Sequence, residues 1–292
     1  MSKKELQSII NNMQVTAYSD YREFLADLYN RAREASSNSY SYENFAEDLG
    51  FSATNVLRLV ISRKRTLAAS SALTIVKALN LKYEHRRYFL AMVSYVNARS
   101  QTLREKYFKK MLQEKQASMV SHRDKDQLAF LSEWYHWVVL EMLRLQGANA
   151  DPEWLAGQIN FSVPADKIRR SLALLEAIGL TTKNQSTGAT HVVDGSPMLV
   201  PSDDTTARLA MTQHHKSMIE TSKEALVKLP AEQIEFNALT LSVSLDSFRE
   251  MQERARKFCE DMMAIEAREQ NRECVAQFNL NLFSLTKWNG RS

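Results

Sequence analysis

Thr54, Asn55 and Arg58, with Arg63-Lys64-Arg65 close behind, are the residues whose types and spacing could do chemistry, and that chemistry is recognition rather than bond making. An amide such as Asn55 matches the donor and acceptor on an adenine edge, and a guanidinium such as Arg58 matches the two acceptors of guanine. Thr54 suits a phosphate or a thymine methyl, and the basic triplet suits phosphates, which position a protein without reading sequence. The competing reading is a solvated helix face used for protein contacts.

Such residues need a rigid frame, and residues 42–59 carry the pattern of one. Counting from Tyr42, the fifth residue is Ala46 and the ninth is Gly50, with Phe45, Leu49, Phe51, Val56 and Leu59 at apolar places. Ala46 is small where two helices would cross, and Gly50 allows positive φ at a sharp turn. The apolar residues knit the pair together, and Ser52 is placed to cap the second helix. The pattern predicts helices at about 42–49 and 53–62, further ones at about 70–79 and 82–98, and an earlier one at 18–35. That earlier helix has a stripe of Tyr21, Phe24, Leu25, Leu28 and Tyr29. This segment resembles the helix-turn-helix of the five-helix phage-repressor (Cro/C1) type. The resemblance implies a recognition helix of about 53–62 in the major groove, with Ser52, Thr54, Asn55, Arg58, Arg63, Lys64 and Arg65 toward DNA.

Composition agrees with a mainly α chain. Among 292 residues there are only 7 Gly and 5 Pro, and Gly50 is the lone glycine before Gly147. Sandwiches, propellers and nucleotide-binding α/β folds spend more of both on turns and phosphate loops. Residues 1–100 hold 14 Lys and Arg against 9 Asp and Glu, whereas 131–292 hold 17 against 21. A basic front and an acidic back suit a polyanionic partner at one end, though scattered solvated charge would give similar counts. Neither a signal peptide nor an apolar membrane span is expected, which points to a cytoplasmic protein.

The sequence suggests a tail at 1–17, a helix-turn-helix domain at 18–99, a helical and winged-helix-like region at 100–200, and a C-terminal α+β region at 201–292 for dimerisation or regulation. Two helices are expected within 100–146. A third begins at Asp151-Pro152-Glu153, and Ser162 to Asp166 caps a fourth with the stripe Ile168, Leu172, Leu175 and Ile178. Short β-type runs at 181–183 and 190–193 flank Gly188, which is the order of a winged helix. Long helices follow at about 205–229 and 246–269. The runs 236–243 and 274–285 alternate imperfectly and suggest two strands.

Other chemistry has thin support. Glu133, His136, His214 and His215 could suggest a metal, but Trp134, Tyr135 and Trp137 surround His136, which favours a packed, hydrogen-bonded histidine. The His214-His215 doublet points to two faces. The aromatic cluster could line a pocket, and core packing is the better reading. Cys259 and Cys274 read as buried thiols before sensors. Without a phosphate loop, a GxSxG motif or paired carboxylates, no catalysis, metal or cofactor is expected.

The whole chain also resembles an uncharacterised paralogous family of Fibrobacter and Bdellovibrio type, which pairs an N-terminal helix-turn-helix with a C-terminal domain of unknown function. The matching stretches include Tyr21-Arg22-Glu23-Phe24-Leu25, Ser132-Glu133-Trp134-Tyr135-His136, Asp151-Pro152-Glu153-Trp154-Leu155, the run 174–180 and Gln277 to Thr286. The resemblance implies a transcriptional regulator. Where such relatives carry Gly before Lys-Arg, this chain has Arg63, which either alters the helix end or enters a left-handed cap. The expectation is a homodimer that binds double-stranded DNA, with dimer surfaces at about 126–146 and 246–269. The alternatives are a protein–protein adaptor, with a partner such as a sigma factor, and a ligand-sensing enzyme remnant.

Overall fold

Leu6 and Ile10 lie one turn apart and both are buried, so the chain starts with a helix, α1 (Lys3–Asn11), where the sequence suggests only a tail. The computed structural model describes residues 3–119, 121–184, 186, 188–193 and 204–288. They form thirteen α-helices and one two-stranded sheet, in two compact units: Met1–Ala129 with Leu199–Thr212, and Phe130–Met198 with Gln213–Ser292.

In the first unit a 3-10 turn, Val15–Ala17, leads to α2 (Tyr21–Ala35), which Asp20 caps by accepting from Arg22 N at 2.9 Å. The predicted stripe is the core face: Tyr21, Phe24, Leu25, Leu28 and Tyr29 are buried. Next come α3 (Tyr42–Asp48), α4 (Val56–Ile61), α5 (Ala69–Ala78), α6 (Tyr83–Asn97) and α7 (Gln101–Ser118). Helix α4 packs on α2 and α3, and α7 lies along α6. Tyr21, fully buried, donates its hydroxyl hydrogen to Asn97 Oδ1 at 3.0 Å and accepts from Leu67 N at 3.2 Å. Asn97 Nδ2 donates to Leu67 O at 2.7 Å, which closes a bridge between α2, α6 and the segment after α4.

Helix ends in this unit share one device. After α3 the amide of Gly50 donates to Glu47 O and that of Phe51 to Ala46 O, with Gly50 at φ +82°. The same paired bonds close α4 at Arg63 and α5 at Asn80, where φ is +62° and +45°. Gly50 alone among these three is also a close approach: a Cβ there would sit 3.1 Å from Thr74 Cγ2 on α5.

Three helices, not two, fill residues 100–146, because α8 (His122–Ser132) ends before α9 (Tyr135–Met142). The break separates two large rings: Trp134 meets Phe161 edge-on, while Trp137 packs beside Phe130 with ring centroids 4.5 Å apart. In the second unit α10 (Pro152–Gln158) is capped by Asp151, which accepts from Trp154 N at 2.8 Å. Helix α11 (Ala165–Ala177) starts from Pro164 with no side-chain cap, so the Ser162 cap is not made. It packs on α9, α10 and β1 (Thr181–Lys183), and β1 pairs antiparallel with β2 (Thr190–Val192), Thr182 opposite His191. The hairpin's Gln185 and Thr187, and Pro197 and Pro201 beyond it, lie outside the described residues.

Helices α12 (Asp204–Lys228) and α13 (Leu245–Glu266) form where expected, but the two strands around α13 do not. Residues 236–243 and 274–285 run extended and exposed, with no strand pairing to a described residue, because no strand lies beside them to take their backbone groups. Cys259 is half-buried and Cys274 exposed, against the expectation of buried thiols. Among the described residues no helix is long and apolar enough to cross a membrane.

Replacing Gly50 by alanine forces a left-handed Cβ against Thr74 and is expected to cost about 1–2 kcal/mol. Urea unfolding checks this, and a variant as stable as the parent would overturn the account of this turn.

Candidate functional site

Helix α4 owes its place to its buried face. Leu57 and Val60 are fully buried, as are Phe45 and Ala46 on α3, so the opposite face of α4 must meet solvent. Ser52, Asn55 and Arg58 are exposed and Thr54 is half-buried. Helix α4 is shorter than the predicted 53–62, and Ser52 lies in the turn ahead of it instead of capping it. Asn55 stands just before Val56, and its side chain caps nothing. Its Oδ1 instead accepts from Arg58 Nε at 2.7 Å. That bond occupies the acceptor an adenine would need and leaves the two terminal nitrogens of Arg58 facing outward.

Arg63 takes the left-handed cap, the second of the two outcomes expected from its replacing glycine. Its guanidinium lies 3.2 Å from Asp20 Oδ2 and 3.8 Å from Glu23 Oε1, on the acidic first turn of α2. The cation therefore helps to offset the strain of its own backbone position. It is also partly neutralised, which separates it from the other two members of the triplet. Lys64 and Arg65 are exposed, and neither forms an ion pair with a described residue. Their amides both donate to Leu59 O, at 2.9 and 3.1 Å, which fixes the backbone of the turn while the side chains stay in solvent. The sequence offered no signal for the Asp20–Arg63 contact, since the two residues lie on different elements.

The second unit gathers its polar groups differently. His136 is buried, and its Nδ1 lies 2.7 Å from Ser171 Oγ, itself fully buried between α9 and α11. Burial pushes the imidazole down to about 4, with Lys167 adding in the same direction. A histidine beside a serine could do nucleophilic chemistry, but neither side chain opens onto a cavity, so this pair packs and orients α9 on α11. A cavity of about 280 Å³ beside α11 is lined by Arg169, Leu172, Glu176, Thr181 and Lys183. Its charges are spent on one another: Lys183 pairs with Glu176 at 2.8 Å, and Arg169 pairs with Glu153 and Asp166. Among the described residues no three His, Cys, Asp or Glu side chains converge to hold a metal. Trp137 is partly exposed and meets His214 edge-on, so the aromatic cluster is only partly core.

A family model described as "Domain of unknown function (DUF4423)" matches residues 111–285. No curated protein and no solved structure matches the chain.

The His136 position generates a pH dependence with a defined sign. A folded-state value below the ordinary 6.5 means the unfolded chain binds the proton more tightly. The stabilisation is therefore complete above about pH 6.5 and is lost as pH falls toward 4. The parent is expected to lose about 2 kcal/mol between pH 7 and 5 that His136→Asn does not lose. Parallel loss in both proteins, followed by thermal unfolding, would show that His136 does not carry it.

Proposed function

The chain belongs to the DUF4423 family, and we propose that this member is a DNA-binding transcriptional regulator that acts as a homodimer. In this reading α3, the Gly50 turn and α4 are a helix-turn-helix, and α4 enters the major groove. The observation that carries it is the exposed Asn55–Arg58 pair on a helix whose other face is fully buried, followed at once by the solvent-facing Lys64 and Arg65. With Nε held by Asn55, Arg58 presents its terminal nitrogens to the two acceptors of guanine, and Asn55 acts chiefly as its brace. Lys64 and Arg65 serve phosphates. Arg63 is tied to Asp20, and its main task is to shape the turn.

Helices α10 and α11 with the β1–β2 hairpin follow the order of a winged helix. The hairpin's one lysine, Lys183, is paired with Glu176, which favours a structural or dimer role for this part over DNA contact. One recognition helix reads a short half-site, and two-fold pairing would place two of them about 34 Å apart. A second reading, a protein–protein adaptor, draws support from Asp20 and Glu23, whose acidity beside Arg63 lowers the positive potential of the candidate face.

Selection from genomic fragments, followed by titration of a selected fragment, tests both readings. Lys64→Ala with Arg65→Ala is expected to weaken binding to all sequences and to flatten the salt dependence by roughly two phosphate contacts. Arg58→Ala should cost about 1–3 kcal/mol of discrimination between selected and random DNA. A chain that retains no fragment at low salt is not a DNA reader, and the adaptor takes its place.

A further inference from the structure

The last part of the second unit is built as half of something. No residue of α13 is buried, and between Phe236 and Trp288 fourteen large apolar side chains are exposed. At roughly 150–250 Å² for a large side chain and about half exposure, they present on the order of 1,000 Å² of apolar surface. Patches on monomers seldom exceed a few hundred Å², and a stable interface takes about 800 Å² from each partner.

The chain organises this surface without covering it. Residues 275–285 lie along α13: the ring centroids of Phe278 and Phe258 are 5.4 Å apart, and Leu280 and Leu282 face Ala255 and Cys259 across a groove of about 240 Å³. Asn279, which points the other way, donates to Ser222 Oγ at 2.8 Å and anchors the segment to α12. Residues 236–243 are equally extended, with Leu239, Leu241 and Val243 alternating and all exposed. Among the described residues no backbone hydrogen bond joins 235–243 or 273–285 to another segment. Two ordered extended runs with alternating apolar side chains and unused backbone edges are strands that lack a partner.

We propose that residues 236–288 form a two-fold interface with a second copy of this chain, in which α13 packs antiparallel on its counterpart and the two extended runs pair across the junction. The charges of α13 argue for a copy of the chain over a foreign partner. Arg254, Arg256 and Lys257 are followed by Glu260 and Asp261. An antiparallel pair centred on Phe258 therefore sets the basic stretch of each helix against the acidic stretch of the other, with Arg256 opposite Glu260. Such self-complementarity is what a two-fold interface requires. The inference specifies the pairing that the DNA-reading proposal needs, yet its test uses no DNA.

Light scattering of the full chain at micromolar concentration should give twice the 33.5 kDa of one chain. Arg256→Glu and Glu260→Arg should each weaken self-association at least about tenfold, because each sets like charges opposite one another. Mixed in equal amounts, the two variants should recover a heterodimer of near-parental affinity, an outcome that misfolding cannot produce. A monomeric parent, or single variants that dimerise as the parent does, would overturn the proposal. So would a mixture that stays monomeric. A monomer that still retains DNA fails this inference alone, and a dimer that retains none fails only the DNA reading.

Discussion

The hydroxyl of Tyr21 is the point on which the candidate recognition surface depends. It is buried in the core, where an oxygen must find partners, and it finds them in Asn97 at the end of α6 and in the backbone of Leu67. Leu67 follows the basic turn, so the network fixes the far end of the segment that carries Lys64 and Arg65. The near end is fixed by the paired bonds from Arg63 and Lys64 to α4. Two exposed cations are thus displayed on a strap clamped at both ends, and their mobility is confined to their side chains. Recognition surfaces benefit from this, because less freedom remains to be lost on binding.

Asp20 extends the same economy to the start of α2. One carboxylate caps the helix, meets Arg22 and holds Arg63. The outcome is a division of labour within three consecutive basic residues: the first is structural, and the next two remain in solvent.

The helical skeleton was legible in the sequence because its signals are local. The stripe of α2, the Asp151-Pro152 start of α10, the Gly50 turn and the hairpin flanking Gly188 all appear where residue type and spacing place them. What was not legible depends on contacts between distant elements. The burial of Leu6 and Ile10, which makes a helix of an apparent tail, requires a neighbouring surface to pack on. The link from Arg63 to Asp20 joins residues on different elements, and the Asn55–Arg58 bond requires a helix that starts later than the caps suggest. The two runs around α13 have the alternation of strands but no strand beside them, and a β pattern states only what a segment could pair with.

Arg63 and Asn80 have a further consequence, which lies in the denatured ensemble. Both hold left-handed helix ends that glycine would fill at less conformational strain. Glycine, however, also enlarges the set of conformations open to the unfolded chain, at about 0.4–1 kcal/mol for each residue ordered on folding. A side chain at these two ends narrows that set, so part of the strain in the native cap is returned as entropy the chain never had to give up. At Gly50, where Thr74 leaves no room for a Cβ, the exchange is closed, and the chain keeps its glycine.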